Sequence, residues 1–279
     1  MKNSRPDYIG TDYSFDTLLS SSAIDELPLW SAPFGLALLD AVKHRKGITA
    51  LDIGFGTGFP LIELAQRLGK SSKVYGIDPW HPSHLRTKYK LKFHGIDNVV
   101  LIKGGAEEIP LKDNSVDLIV SNNGTNNVQD AGKVFAECSR VAKKGAQFLI
   151  TVNLDGTFKE FYSAFFRVLE KRCMDEEIIK LKAHIRSKRP PLEETKSLFT
   201  RNGFRIRKIT KDKFVMKFSD AESFFSHSLI KLGFMDSWKK VIPEKAAPAI
   251  FGEIIKYLSS SRGGHKFTVP YALIDSNRI

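Results

Sequence analysis

The chain has 279 residues, which is enough for one large α/β domain or two small ones with a substantial core. Its hydrophobic fraction of 42% and charged fraction of 27% are ordinary for a globular protein, and no apolar run approaches the roughly 20 residues that span a bilayer. The two cysteines lack a C-x-x-C spacing, which excludes a disulfide framework and a cysteine-rich metal site. They predict a protein of the reducing cytoplasm.

The positive charge is unevenly distributed along the chain. The net charge is +12, yet residues 1–154 carry 18 basic and 16 acidic side chains, whereas residues 155–279 carry 25 and 15. In the second half the basic residues alternate with acidic and apolar ones, as on solvated helical faces. Nucleic acid is therefore not favoured as a partner, although the sequence leaves it open.

The first predicted elements lead into a glycine-rich loop. Residues 13–45 are predicted to be helical, with a basic end that suits a helix C-terminus. A short apolar strand over 49–53 follows and runs into Gly-Phe-Gly-Thr-Gly at 54–58. Pro60 then opens a helix that Gly69 ends, because proline suits a first helical turn and glycine the position after a last one.

Strands and helices continue to alternate after this loop. The apolar patterns predict strands over 73–78, 99–103, 116–121 and 147–152, and helices over 83–94 and 128–142. Beyond them we predict helices over 158–182, 192–200 and 220–258, and strands over 204–218 and 265–274. Such alternation is typical of an α/β protein with a doubly wound, mostly parallel sheet.

The spacing of the three glycines distinguishes among nucleotide-binding loops. Main-chain amides at the start of a helix favour a closely approaching, nucleotide-like ligand. The loop at 54–58 has the form G-x-G-x-G, whereas a dinucleotide loop has G-x-G-x-x-G and a P-loop ends in Gly-Lys-Ser/Thr. Asp52, near the carboxyl end of the strand, would repel a pyrophosphate but suits the ammonium group of a methionine moiety.

Four segments, in order, resemble class I S-adenosylmethionine-dependent methyltransferases. Residues 50–58, Ala-Leu-Asp-Ile-Gly-Phe-Gly-Thr-Gly, are similar to the first motif of that family. Asp78 ends the second strand, where the family places the acid that holds the ribose hydroxyls. Residues 105–110 and 114–119 resemble the adenine-contacting loop and the fourth strand. Within the family, the chain looks like the enzymes of ubiquinone and menaquinone biosynthesis, which methylate small molecules.

The resemblance implies S-adenosylmethionine as cofactor, S-adenosylhomocysteine as product, and no metal ion. The cofactor-binding residues that it implies are Asp52, Gly54, Phe55, Gly56, Thr57, Gly58, Asp78, Pro79, Gly105, Ala106, Glu107 and Asn122. One position departs from the family, because Gly105 stands where relatives usually have an aspartate. The main chain of Ala106 can still recognise adenine, and Glu107 is the alternative carboxylate.

The chemistry of the family leaves the catalytic residues open. Methyl transfer is an in-line displacement in which the protein positions the nucleophile and excludes water, so no triad is expected. None of His81, His84 and His227 is favoured as a general base. Substrate contacts are predicted for Trp30, Phe34, Asn123, Asn126, Tyr162 and His227. The aromatic residues near Tyr162 are interpreted first as core and second as an apolar lid.

The resemblance implies a Rossmann-like fold with a seven-stranded sheet, and methyl transfer to a small-molecule acceptor. Residues 121–127 lack the Asn/Asp-Pro-Pro-aromatic motif of the nucleic-acid enzymes that methylate amino groups. Two alternatives stay open: an RNA or protein methyltransferase that uses the basic second half, and a cofactor-binding protein without turnover.

We expect one methyltransferase domain over residues 1–279. It would comprise an N-terminal helical cap at 1–48, a cofactor-binding core at 49–153, and helical insertions at 154–188 and 219–262 that cover the substrate site. A homodimer stays open, with the insertions serving as either lid or dimer interface. The sequence fixes neither the substrate nor the accepting atom.

Overall fold

The computed structural model describes Asp25, residues 29–260 and residues 265–279. Helix α1 (Ser31–Ala41) is the part of the predicted N-terminal helix that falls within this range. Of the residues before position 29, Asp25 alone is described, so most of the predicted helix over 13–45 lies outside the described residues.

Seven strands form a single sheet. They are β1 (Thr49–Ile53), β2 (Lys73–Asp78), β3 (Val99–Lys103), β4 (Val116–Asn122), β5 (Ala142–Asn153), β6 (Phe204–Phe218) and β7 (His265–Arg278). The spatial order is β3-β2-β1-β4-β5-β7-β6, in which the first five strands pair in parallel and β7 runs antiparallel to β5. The predicted seven-stranded, mostly parallel sheet is confirmed.

Helices connect these strands as the sequence predicts for the first half. Those after α1 are α2 (Leu61–Leu68), α3 (His81–Phe93), α4 (Ala131–Val141), α5 (Lys159–Lys171), α6 (Asp175–Lys188), α7 (Leu192–Arg201), α8 (Ala221–Ser226), α9 (Ser228–Gly233), α10 (Met235–Lys239) and α11 (Ala247–Ser259). Helix α2 begins after Pro60 and ends at Gly69, as expected from those two residues. Asp130 caps α4 by accepting a hydrogen bond from the amide of Lys133.

Two apolar clusters cover the two faces of the sheet. Side chains alternate between faces along each strand, so Leu51 and Ile53 of β1 belong to one cluster, whereas Ala50 belongs to the other. The first cluster includes residues of α4 and α7, and the second includes residues of α1 and α2. The sheet is therefore buried on both faces. In sheets of this kind, ligands bind at the carboxyl ends of the strands, so we expect the functional site there.

The described residues fall into two compact units. The sheet unit comprises Asp25 and residues 29–154, 190–212 and 271–279, and the helical unit comprises the described residues of 155–189 and 213–270. Strands β6 and β7 each contribute residues to both units.

The helical unit has an aromatic core. Phe161 stacks on Trp238 with ring centroids 4.0 Å apart, and Phe224 stacks on Phe267 at 3.7 Å. All four side chains are fully or almost fully buried. Packing of this kind contributes roughly 0.5–1.5 kcal/mol per pair beyond the burial itself. Among the described residues, no helix is long and apolar enough to cross a membrane.

The two helical segments predicted in the helical unit are each divided into shorter helices. The predicted helix over 158–182 is interrupted between α5 and α6, where Cys173 has a φ of +54° that a continuous right-handed helix does not allow. The predicted helix over 220–258 is divided into α8 to α11, in part because His227 accepts a hydrogen bond from the amide of Leu229 and starts a new helix there.

Candidate functional site

The glycine loop follows β1 and requires glycine at two points in particular. Gly54 has a φ of +74°, and a Cβ atom at this residue would lie 2.7 Å from the Cα of Gly124. Gly56 has a φ of +52°, but a Cβ there would meet open space. The conformation at Gly54 therefore results from close backbone packing, whereas Gly56 presents its backbone to an open surface that a ligand can approach.

Asp78, at the end of β2, holds the glycine loop to the neighbouring strand. Its carboxylate accepts hydrogen bonds from the main-chain amides of Gly56 and Trp80, both at 2.8 Å. Burial raises the pKa of this carboxyl group, while the two amides and the nearby His84 act to lower it. Asp78 is 7% exposed, so it is buried, although less completely than Asp52 at 0%.

Asp52 is a fully buried acid on β1. Among the described residues, no group donates a hydrogen bond of normal geometry to either carboxylate oxygen. Burial, reinforced by the negative charge of Asp78, raises the pKa of Asp52 to about 8, and the main-chain amide of Leu61 opposes this shift only in part. A buried carboxyl group without a partner is costly, which suggests that its partner is a ligand.

The loop after β4 meets the glycine loop. Gly124 approaches Ile53 and Gly54 so closely that it has no room for a side chain. Asn122 is fixed, because its amide donates to the carbonyl of Ser31 at 3.0 Å and its side-chain oxygen accepts from Thr151 at 2.9 Å. Asn123 has a φ of +60°, and no described residue pairs with its buried side-chain nitrogen.

The sequence did not reveal two polar residues that lie at the same edge. Asn153 ends β5, and among the described residues no group pairs with its buried side-chain oxygen. Tyr271 on β7 pairs with Asn153 across the sheet, and its hydroxyl lies 3.5 Å from the carboxylate of Asp212. Burial raises the pKa of Tyr271, and Asp212 adds to this rise. Their position depends on strand pairing over more than 100 residues, which no local pattern indicates.

Helix α1 adds aromatic residues to this edge. Phe34 is fully buried, and its ring makes edge contacts with Tyr271 at 5.1 Å and with the partly exposed Trp30 at 5.4 Å. The helix packs on β4 and β5. Phe34 therefore lies close to the polar residues of the edge, while Trp30 offers an accessible apolar surface.

The segment predicted to contact adenine follows β3. A side chain at Gly105 would collide with the carboxylate of Glu107. That carboxylate accepts hydrogen bonds from the amides of Gln129 and Asp130 at 2.9 and 3.3 Å. Ala106 is buried in the core. Glu107 thus fills the space beside Gly105 and links this loop to the start of α4.

The other residues predicted for the cofactor lie around the loop. Phe55 is buried against the ring of His84, with centroids 4.9 Å apart. The carbonyl of Thr57 accepts from Lys90 at 2.9 Å, and Pro79 is exposed beside Asp78. Asn126 donates to the side-chain oxygen of Asn123 at 3.2 Å.

The histidines and the remaining substrate candidates have other partners. His84 contacts the carbonyl of Asp78 at 2.7 Å, and His81 is exposed. In the helical unit, the hydroxyl of Tyr162 accepts a hydrogen bond from Trp238 at 3.0 Å. Burial lowers the pKa of His227 there, and this residue caps α9. A substrate contact by Tyr162 or His227 stays a prediction.

Within the part of the chain that the structure describes, no group of three or more histidine, cysteine, aspartate or glutamate side chains could hold a metal ion. The polar groups at the carboxyl edge are instead carboxylates, amides and main-chain donors. This combination suits an organic ligand with a cationic end and several hydroxyl groups.

A family model of a methyltransferase domain matches residues 51–150. This segment contains β1, the glycine loop, Asp78, the loop at Gly105 and nearly all of β5. This part of the chain, which holds the carboxyl edge of the sheet, is thus similar in sequence to a methyltransferase domain.

The chain is also similar to individual proteins, in sequence over part of its length and in fold over most of it. The chain is 37% identical over 132 residues to a demethylmenaquinone methyltransferase of Geobacillus stearothermophilus. The aligned region covers 45% of this chain and 55% of the relative. The chain thus spans about half the length of the curated relatives it matches. The fold is similar to the YcgJ protein of Bacillus subtilis, with a TM-score of 0.58 and 19% identity over 88% of this chain and 98% of that protein. It is also similar to geranyl diphosphate C-methyltransferase of Streptomyces coelicolor A3(2), with a TM-score of 0.55, 17% identity and coverage of 98% and 88%.

Proposed function

We propose that the chain binds S-adenosylmethionine at the carboxyl edge of the sheet and transfers its methyl group to a small, partly apolar acceptor. The observation that carries the proposal is the pair of acids at the glycine loop. Asp78 accepts a hydrogen bond from the amide of Gly56 in the loop, and Asp52 is fully buried without a hydrogen bond of normal geometry from any described residue. The resemblance of residues 50–58 to the first methyltransferase motif supports the same ligand.

The residues of the edge suit the different parts of this cofactor. Asp78 would hold the ribose hydroxyls, the exposed backbone at Gly56 would allow close approach, and Asp52 would attract the ammonium group. When bound, the cofactor supplies an electrophilic methyl group on a positively charged sulfur. A buried carboxylate beside a cation is stabilised in its charged form, so the pKa of Asp52 would fall on binding.

The acceptor would lie near the ends of β4 and β5. The side-chain nitrogen of Asn123 and the side-chain oxygen of Asn153 are buried without described partners, so they can donate to and accept from a polar group of the acceptor. The partly exposed ring of Trp30, which packs on the buried Phe34, provides the adjoining apolar surface. A ring that carries oxygen atoms combines both requirements, which agrees with the quinone substrate named for the Geobacillus relative.

The protein's contribution to the rate would be mainly positional. The two asparagines orient the acceptor, and the apolar side chains of α1 exclude water from it. We propose a cytoplasmic location on the basis of the two unpaired cysteines, Cys138 and Cys173.

The test combines cofactor binding with turnover. Calorimetry of the full chain should show binding of S-adenosylhomocysteine that the Asp78→Ala variant weakens. Incubation with labelled S-adenosylmethionine and a panel of naphthoquinols and phenols should then yield labelled product. The Asn123→Ala and Asn153→Ala variants should raise KM for the acceptor by roughly tenfold, with cofactor affinity retained.

Two results would contradict the proposal. If the folded protein binds neither S-adenosylmethionine nor S-adenosylhomocysteine, the cofactor assignment fails. If the protein binds the cofactor but methylates RNA or protein in preference to every small molecule tested, the acceptor assignment fails while the cofactor site stands.

A further inference from the structure

A concave basic pocket lies in the sheet unit, at the edge opposite the glycine loop. Its volume is about 800 Å³, and among the described residues that line it none is acidic and six are cationic: Lys43, Arg45, Lys144, Arg205, Arg207 and Arg278. Residues 43 and 45 precede β1, and residue 144 lies near the start of β5, whereas the glycine loop follows the end of β1. The length of β1 separates the two places by roughly 15 Å.

Most of these cations have no acidic partner. Lys43, Arg45, Lys144, Arg205 and Arg207 are exposed, and among the described residues none of the five forms an ion pair. Cations that line one pocket repel one another, and an anion that enters the pocket would relieve this repulsion.

The backbone behind the cations is held in place by buried hydrogen bonds. Gln147, which is 3% exposed, accepts from the amide of Lys43 at 3.0 Å and donates to Asp275 and to the carbonyl of Ala41, also at 3.0 Å. These contacts tie the loop before β1 to β5 and β7. The carboxylate of Asp275 is therefore engaged with Gln147.

Two arginines of the pocket, one on β6 and one on β7, are also held in place by hydrogen bonds. Arg207 donates to the side chain of Asn277 at 3.2 Å. Arg278 donates to the carbonyls of Ser139, Gly203 and Ile279 at 2.9 to 3.2 Å, so we count it as structural rather than as a ligand contact. Five cations remain, and they converge from three segments that are distant in sequence.

The lining points to a particular class of anion. Arginine and lysine together suit phosphate oxygens, because the guanidinium group binds two oxygens at once. The described part of the chain places no aromatic side chain in the pocket lining, whereas proteins that bind single-stranded nucleic acid stack bases on aromatic rings. The concave shape favours a discrete ligand over a flat membrane surface.

We propose that this pocket binds a compact anion with several linked phosphate groups, through Lys43, Arg45, Lys144, Arg205 and Arg207. The phosphate chain is the recognised chemistry, whether it is free polyphosphate or the triphosphate of a nucleotide. The site is separate from the cofactor site, so both ligands bind at the same time.

The experiment uses the full chain in a magnesium-free buffer. Sodium tripolyphosphate is titrated by calorimetry into the native protein, an Arg45→Gln/Arg205→Gln variant and a charge-matched Lys182→Gln/Lys245→Gln control, whose two lysines are exposed and lie in the helical unit. We expect the pocket variant to lose roughly 10- to 100-fold in affinity, and the control to stay within about twofold. Binding should weaken as salt rises, and tripolyphosphate should raise the melting temperature of the native protein.

Further titrations compare a nucleotide triphosphate with free polyphosphate and test single-stranded RNA as an alternative ligand. ATP and tripolyphosphate should bind with similar affinity, because the base makes no contact in the pocket. Binding of S-adenosylhomocysteine should be equal in the native protein and the pocket variant, which also reports that the variant is folded. Failure of tripolyphosphate to bind, an equal loss in the control, or preferential binding of a 12-nucleotide single-stranded RNA at equal phosphate concentration would each overturn the proposal.

Discussion

The substitution Asp52→Asn should stabilise the protein and impair its binding site. Between pH 4 and 8 the folded protein retains a proton on Asp52 that the unfolded chain has released, because the pKa rises from 3.8 to about 8 on folding. The free energy of unfolding therefore falls as pH rises through this window. Asparagine has nearly the same shape as aspartate and does not ionise. The free energy of unfolding of the variant therefore does not fall with pH on account of this residue.

The size of the effect follows from the same shift. At about 1.4 kcal/mol per pK unit, the variant gains roughly 2 kcal/mol at pH 5 and about 5 kcal/mol at pH 8, and relaxation around the carboxylate lowers both values. At roughly 2–4 °C per kcal/mol, the melting temperature at pH 8 should rise by roughly 10–20 °C, and by less to the extent that relaxation lowers the gain. Affinity for S-adenosylhomocysteine should fall at least tenfold, because the partner of its ammonium group is lost.

The assay is thermal unfolding of the ligand-free native protein and the variant at pH 5, 6.5 and 8, with calorimetry of product binding on the same samples. The exposed Asp97→Asn variant makes the same chemical change at the surface and serves as control. A difference in melting temperature that does not grow with pH, or a variant less stable than the native protein at pH 8, would refute the reasoning.

Three further predictions concern the same loop. Affinity of the native protein for S-adenosylhomocysteine should rise by up to tenfold per pH unit towards pH 8 and then level off, because Asp52 must lose its proton to pair with the ammonium group. The Asp52→Asn variant should lose this pH dependence. Calorimetry in two buffers of different ionisation enthalpy would count the proton that Asp52 releases on binding. Asp78→Ala should lower the free energy of unfolding by roughly 1–3 kcal/mol, because the amides of Gly56 and Trp80 lose their acceptor. The same variant should also bind the cofactor more weakly. Equal stability of the variant and the native protein in denaturant titration would contradict this prediction. Gly54→Ala should lower the free energy of unfolding by at least about 3 kcal/mol in the same titration, because its Cβ would collide with Gly124. Gly47 has a similar φ of +69° but open space around it, so Gly47→Ala should lower the free energy of unfolding by about 1 kcal/mol. Equal losses in the two variants would argue against the contact between Gly54 and Gly124.

The first half of the fold could be predicted because its signals are local. Pro60, Gly69 and the glycines of the loop each act on their own turn, and β1 and β2 are short runs with mostly apolar side chains. Cys173, which breaks a predicted helix, has no such signal; its left-handed conformation lies between α5 and α6, two helices that pack on each other. Secondary-structure patterns do not report this kind of tertiary constraint.

The candidate site was predicted only where a motif carries it. Asp52 and Asp78 were found from their place at strand ends, but nothing local shows that one is buried without a described partner while the other accepts two amides. Asn153 and Tyr271 were missed, because they become neighbours only when β7 pairs with β5. The basic pocket likewise collects cations from segments that the charge count had assigned to different halves of the chain.

The contact between Gly54 and Gly124 has a consequence for protein engineering. Each glycine leaves the space that the other's backbone occupies, so the loops after β1 and β4 fit only as a pair. A designer who grafts residues 50–58 onto another parallel sheet would transfer the motif without the partner that shapes it. A working graft would need both loops, and a library randomised at either glycine should return glycine at both positions.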